Sequence, residues 1–242
     1  MKIRRLSTLL VAALALPTAA FAADVATLFS LKGSAKMTKG ETESMAAVGN
    51  DIPNGTLFQT GSGASAGVKL PDGTTLFLGA NTSVRVRFSD GGKSVEITLL
   101  KGVVAGDFTA SNVTVRTSAG VVKAGGSLCT VSVEAGVSGV LATVEVAKGG
   151  AQVELKGADK PTAVPAGTSM SFGDNTAPAA GALTQERLAQ VTAAAGGSFS
   201  TEKPVGAKPV TNPAASGGTG TNAQKIVPDL SVLSPNGEGA TN

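Results

Sequence analysis

Hydrophobic and polar residues alternate along most of the chain. Between Val25 and about Phe172, apolar positions recur with a period of two and are rich in β-branched residues. Alternation of this kind predicts strands with one buried face. No helical pattern intervenes, so the sequence predicts an all-β domain. The clearest strand candidates are residues 84–88, 95–99, 113–115, 131–133, 144–146 and 153–155.

Short turn signals separate these apolar runs. In residues 59–83, two apolar runs flank Pro71-Asp72-Gly73-Thr74, where proline presets φ and glycine accepts a positive φ. Sandwiches, rolled barrels and solenoid-like stacks all share such spacing. Small side chains and many glycines favour short antiparallel strands wound into a β-solenoid-like or rolled sandwich domain.

The first 22 residues have the layout of a secretory signal peptide. Lys2, Arg4 and Arg5 precede an apolar run at residues 9–16 and the small-residue site Ala20-Phe21-Ala22. Cleavage before Ala23 would leave 17 basic and 17 acidic residues, a neutral chain. The apolar run is shorter than the ~20 residues that a bilayer span needs. We therefore expect an exported protein, in the periplasm or at the cell surface, with no transmembrane segment after cleavage.

The composition and the apolar pattern of the sequence change after the predicted β domain at residues 23–173. Residues 174–195 predict a linker and a short helix that Thr184 caps. Leu188 and Val191 form a narrow apolar stripe on that helix, so it is expected to pack lightly. Residues 196–242 are rich in Gly, Pro, Ala and Thr, which predicts a disordered tail.

The composition excludes several kinds of catalytic site. The chain has no histidine and one cysteine. It therefore lacks a Ser-His-Asp or Cys-His pair, an imidazole metal ligand and a thiolate zinc site. The sequence predicts no catalytic residue, no cofactor site and no metal site.

Charged strand residues are the remaining candidates for a site. Arg85, Arg87 and Arg116 form a predicted basic face, and Arg87 would oppose Glu96 across a four-residue hairpin loop. Stacking aromatics are missing from the strand pattern, which disfavours nucleic acid and sugar platforms. A solvated face is the favoured interpretation. Six acids are candidates for a hydrolytic carboxylate pair, although solvent-facing strand acids are far commoner than catalytic ones. They are Asp72, Asp90, Asp107, Glu96, Glu145 and Glu154.

Three further motifs are interpreted structurally. Gly61-Ser62-Gly63 and Gly92-Lys93-Ser94 resemble parts of phosphate loops, but strands rather than helices follow them. Both are predicted to be turns. Cys129 shares a strand face with Val131, which favours a buried small hydrophobe over a reactive thiol.

A series of short motifs spans roughly residues 48–168. Its members are Gly49-Asn50-Asp51-Ile52, Gln59-Thr60-Gly61, Leu70-Pro71-Asp72-Gly73-Thr74, Leu78 to Asn81 with Ser83, Leu99-Leu100-Lys101-Gly102, Val115-Arg116-Thr117 with Val121-Val122, Gly126-Ser127, Val144-Glu145-Val146 with Gly149, and Val164-Pro165-Ala166-Gly167. In this order the motifs resemble the FecR-type periplasmic domain of bacterial signalling proteins. The resemblance implies a β-rich domain built strand after strand.

Two departures bear on what the resemblance implies. Family members that regulate sigma factors carry a cytoplasmic N-terminal region and a membrane helix, whereas the predicted signal peptide here leaves nothing in the cytoplasm. The family's Gly-Thr pair is Gly126-Ser127 here, followed by Leu128 rather than an aromatic residue. The first departure argues against a transmembrane sigma-regulator role, and the second hardly affects the fold.

These observations lead to one favoured function and two alternatives. We expect an exported, non-enzymatic FecR-like protein that binds an envelope protein or a cell-surface polymer, in signalling or scaffolding. Exposed strand edges would recruit the partner by strand addition. The alternatives are a structural or adhesive cell-surface protein with the tail as a spacer and, as the weakest, a carboxylate-based hydrolase. The partner and the oligomeric state stay open.

Overall fold

The computed structural model describes residues 25–108, 112–136, 139–173 and 176–199. These residues form mostly strands, with one helix, so the all-β fold class is confirmed. The predicted signal peptide at residues 1–22 and nearly all of the predicted tail at residues 196–242 lie outside the described residues. No helix in the described ranges is long and apolar enough to span a bilayer.

The strands form two open sheets that share one strand. Sheet 1 has the order β4 (Asp51–Pro53), β1 (Val25–Lys32), β6 (Ser65–Lys69), β7 (Thr75–Leu78), β9 (Ser94–Asp107), β12 (Leu128–Gly136), β13 (Gly139–Lys148), β16 (Thr168–Gly173) and β17 (Thr176–Ala182). Sheet 2 has the order β3 (Thr42–Met45), β2 (Ala35–Lys39), β5 (Leu57–Thr60), β8 (Ser83–Ser89), β9, β10 (Asn112–Arg116), β11 (Gly120–Lys123), β14 (Gly150–Leu155) and β15 (Thr162–Pro165). Among these pairings β9–β10 is parallel and the others are antiparallel.

The shared strand β9 passes from one sheet to the other at a glycine. Residues 94–101 pair with β8 in sheet 2, and residues 102–107 pair with β12 in sheet 1. Gly102 is the first residue of the second segment and has φ +89°, a conformation that L side chains rarely adopt. A Cβ at Gly102 would lie 2.5 Å from the Cα of Thr82. The bend therefore requires both the positive φ and the missing side chain.

One apolar core lies between the sheets. Alternate residues point into it, as in β8, where Val84, Val86 and Phe88 are buried. Phe172 of sheet 1 reaches sheet 2, because a Cβ built on Gly120 would lie 3.2 Å from the Phe172 ring. The buried side chains of both sheets form a single cluster. The chain thus builds a rolled sandwich, and it alternates between the layers every one or two strands.

Part of the predicted linker is a strand. β17 pairs antiparallel with β16, so residues 176–182 of the predicted linker and helix region at residues 174–195 form a strand. Nothing in the sequence indicated this strand, because its residues are small and show no apolar alternation. The strand forms nevertheless, since a ladder at a sheet edge depends on backbone groups rather than on large side chains. The register of this pair shifts between Ser171 and Gly173, and Pro178 lies close to that irregularity.

The helix α1 (Gln185–Ala195) follows directly. Thr184 caps it as predicted, since its side chain accepts the N–H of Arg187 at 3.1 Å. The helix packs on the outer face of sheet 1, against β9, β12 and β13, and buries Val191, Ala194 and Ala195. The prediction that the helix packs lightly is wrong. It considered only the narrow stripe of large apolar residues, whereas Ala194, Ala195 and the charged Arg187 make much of the contact with sheet 1.

Candidate functional site

The outer face of sheet 2 carries the arginine cluster that the sequence singled out. Arg85 and Arg87 lie on β8 and Arg116 lies on β10, with β9 between these strands. In the ladder, Arg85 and Arg116 both stand beside Thr98, and Arg87 stands beside Glu96. The three arginines therefore share one surface.

Glu96 partly neutralises this arginine cluster. Its carboxylate accepts a hydrogen bond from Arg116 Nε and lies 3.6 Å from Arg87 Nη1. The predicted Arg87–Glu96 pair is confirmed, because β8 ends at Ser89 and β9 begins at Ser94, leaving a four-residue loop. Exposed pairs of this kind contribute about 0–1 kcal/mol. One carboxylate accompanies three guanidinium groups, so the cluster is a cationic surface patch.

Glu145 is the acid whose position differs most from the prediction. Alternation with Val144 and Val146 predicted a solvent-facing side chain, yet Glu145 is 5% exposed. It does point away from the core, but α1 covers it. Arg187 of α1 donates from Nε and Nη2 to the two carboxylate oxygens of Glu145, each at 2.6 Å. Because strand periodicity reports only which residues leave the core, it carries no signal for an element that packs on top.

The other predicted acids have structural surroundings. Asp72 accepts the N–H of Thr74 at 2.9 Å and so shapes its turn. Glu154 forms an ion pair with Lys123. Asp90 has a positive φ of 55° in the β8–β9 loop. In the described ranges no three Cys, Asp or Glu side chains gather closely enough to hold a metal ion.

The cysteine and the glycine-rich motifs also have structural roles. Cys129 is buried, and Ser127 Oγ donates to its Sγ at 3.5 Å. Burial raises the pKa of the Cys129 thiol to about 11, against a smaller opposite effect of the Ser127 hydrogen bond. The thiol is therefore protonated near neutral pH, as expected for a buried hydrophobe. Gly61-Ser62-Gly63 and Gly92-Lys93-Ser94 lie at turns that lead into strands.

Two phenylalanines on the outer face of sheet 1 were not predicted from the sequence. Phe29 sits where the β1–β6 register shifts, and its ring lies over Gly67. A bulge of this kind re-aims a side chain. The ring also meets Phe77 edge-on, with centroids 5.8 Å apart. Stacking aromatics are thus present on strands, but on the opposite side of the sandwich from the arginine cluster.

In the described part of the chain, the two sheets end in four edge strands, which differ in how well they are protected against pairing with another strand. Pro53 lies in β4, Pro178 lies in β17 and Pro165 lies in β15. Proline removes a backbone donor, which protects an edge from further pairing. β3 has no proline, and all of its residues are exposed. Its last residue, Met45, is a large apolar side chain with 61% exposure.

The hydrogen-bond phase of β3 identifies its outward backbone groups. Ala46 N donates to Ala35 O at 2.9 Å, so this pair is a hydrogen-bonded one. Antiparallel ladders alternate hydrogen-bonded and non-hydrogen-bonded pairs. Met37–Ser44 is therefore bonded, whereas the backbone groups of Glu43 and Met45 point to the open edge. β3 thus offers two N–H and two C=O groups to an added strand.

The geometry defines an all-β sandwich with a cationic patch, an open strand edge and a helix-covered face. Residues 56–152 match the family described as FecR protein, so the chain carries a FecR domain over these residues. That range runs from the loop before β5 to β14 and includes the strand shared by both sheets. No curated protein matches the chain.

Two solved structures resemble the chain. Both are crystal structures of "a putative anti-sigma factor" from Parabacteroides distasonis ATCC 8503, at 19% and 20% sequence identity. Each has a TM-score of 0.45 and covers 55% of this chain. The aligned part spans 62% and 63% of those chains, less than two thirds of their length.

Proposed function

We propose that this protein is an exported, non-enzymatic binding protein of the cell envelope that acts in signalling or scaffolding. Its FecR domain supports a regulatory rather than a catalytic role. The charged strand residues support the same conclusion, because Glu96, Glu145 and Glu154 are each paired with a cation.

The open edge of β3 is the observation that carries this proposal. The outward backbone groups of Glu43 and Met45 match those of an extended peptide, so a partner segment adds to sheet 2 as another strand. Backbone hydrogen bonds supply affinity in this mode, and flanking side chains supply specificity. Around the edge these side chains are Met45 and the exposed Lys36–Glu43 ion pair.

Site-specific crosslinking in cells tests the proposal. A photo-crosslinking residue at Met45 should capture a defined envelope protein, and one at Leu100, which is also exposed on sheet 2, should not. Moving the crosslinker to Glu43 then allows Met45 to be varied. Met45→Pro removes an outward N–H without touching the β2–β3 ladder, so capture should fall at least tenfold. Met45→Ala keeps that N–H and should retain most of the capture.

The outcomes separate the mode of binding from the function as a whole. Equal capture by the Pro and Ala variants would exclude strand addition at β3. Failure of every crosslinker position to capture an envelope protein, including positions beside Arg85 and Arg116, would refute the binding function. Fractionation of the processed protein with the cell wall or outer surface would instead favour the adhesive alternative.

A further inference from the structure

A small cavity lies beneath α1. It has a volume of about 190 Å³ and lies between the helix and the outer face of sheet 1, beside the bend of β9 at Gly102. Pockets for drug-sized ligands measure roughly 300–1,000 Å³. This cavity therefore suits a smaller molecule. The glutamate–arginine pair that holds the helix lies at its border, because Arg187 is one of the lining residues.

The floor of the cavity is polar. Because Cys129, Val131 and Val133 of β12 point into the core, Thr130 and Ser132 point to the other face, where they line the cavity. Thr130 is 4% exposed, and its Oγ1 has no hydrogen-bond partner among the described residues. An enclosed hydroxyl without a partner costs about 1–3 kcal/mol. A change of χ1 rotamer redirects the hydroxyl, and the cavity is the open space beside it.

The walls combine donors, a carboxylate and apolar surface. Arg187 lines the cavity and donates three of its five N–H groups to Glu145 and Gln190, so two N–H groups remain for a ligand. Glu134 lies at the exposed end of the lining. The apolar wall includes Val103, Val191, Ala194, Ala80 and the aromatic ring of Phe199.

We infer that this cavity binds a small zwitterion, a free α-amino acid with an aliphatic side chain. The guanidinium N–H groups and the Thr130 hydroxyl donate to its carboxylate, as in other charge-assisted hydrogen bonds. Glu134 accepts from its ammonium group, and the apolar wall contacts its side chain. The ion pair with Glu145 offsets the charge of Arg187, so Glu134 disfavours a ligand that carries only a carboxylate.

Calorimetric titration of the full chain with L-leucine tests the inference. Two analogues of L-leucine are titrated for comparison. Isoamylamine lacks the carboxylate, and 4-methylpentanoate lacks the ammonium group. We expect saturable binding of L-leucine with a Kd of about 1 mM or below, which corresponds to about −4 kcal/mol. Each analogue should bind at least tenfold more weakly.

A matched pair of variants identifies the cavity as the site. Thr130→Val removes the unpartnered hydroxyl, should leave the fold at least as stable, and should weaken L-leucine binding at least tenfold. Thr143→Val makes the same chemical change on the same face, outside the cavity, and should bind normally. Three results would overturn the inference: no saturable binding of L-leucine or L-alanine at about 10 mM, equal affinity for either analogue, or unchanged binding by Thr130→Val.

Discussion

The buried pair of Glu145 and Arg187 makes a quantitative prediction about how α1 is held. Arg187→Met removes both 2.6 Å hydrogen bonds and leaves the Glu145 carboxylate beneath a helix without its cation. Breaking a fully buried pair costs about 3–5 kcal/mol. The Arg187 side chain is 21% exposed, so water can reach one end of the pair. We therefore expect a cost near the lower limit, about 3 kcal/mol.

The stability lost in Arg187→Met can be confined to the docking of α1, without destabilising the sandwich. Besides the ion pair, α1 is anchored by Val191, Ala194 and Ala195. Burying a valine contributes about 1.5–3 kcal/mol. The total for docking the helix is therefore comparable with the cost of the substitution. Once α1 detaches, further destabilisation stops, since Glu145 regains water.

Hydrogen exchange and denaturant unfolding together measure this effect. In Arg187→Met, the α1 amides should exchange at least a hundredfold faster, whereas the exchange rates of the β12 and β13 amides should change little. Glu145→Leu combined with Arg187→Met removes both charges, so the double variant should recover part of the lost helix protection. Unchanged exchange in α1, or a double variant as unstable as the sum of the single ones, would refute the reasoning.

Three further predictions concern the bend at Gly102, the buried thiol of Cys129 and the helix cap at Thr184. Gly102→Ala should destabilise by at least 2 kcal/mol more than Gly73→Ala in denaturant unfolding, because both glycines have φ +89° but only the Cβ at Gly102 meets Thr82; equal losses would contradict the steric argument. Cys129 binds its proton more tightly in the folded state, so stability is fully present below pH 9 and falls as the pH rises from 9 to about 11, by about 2–3 kcal/mol. Cys129→Ala should lack that part of the decline. A variant whose stability depends on pH as the original protein's does would show that the Cys129 thiol does not cause it. Thr184→Ala should cost about 1 kcal/mol of helix stability, seen as faster exchange in the first turn of α1; an unchanged first turn would mean that the cap contributes nothing.

Local pattern predicted those parts of the molecule that depend on neighbours in sequence. The Arg87–Glu96 pair followed from the length of one hairpin loop, and the Thr184 cap followed from residue type and position. The burial of Cys129 followed from its strand face. In each case the deciding contacts lie within a few residues or on an adjacent strand.

The rest depends on contacts between distant segments. Gly102 looks like any turn glycine in the sequence, although it turns β9 between the sheets. Glu145 leaves the core as predicted, but its cover comes from Arg187, 42 residues later. The protection of an edge likewise becomes visible only when the strand order is known. These features carry no local signal, so the open edge of β3 and the cavity beneath α1 could not be placed from the sequence.

The path of β9 also bears on how the domain loses its structure. Because one continuous strand supplies ladder partners to both layers, the layers separate only when one half of β9 leaves the ladders on both of its sides, which are β8 and β10 in sheet 2 or β7 and β12 in sheet 1. We therefore expect the two layers of the family-matched region to unfold together in one cooperative transition, under force or on heating.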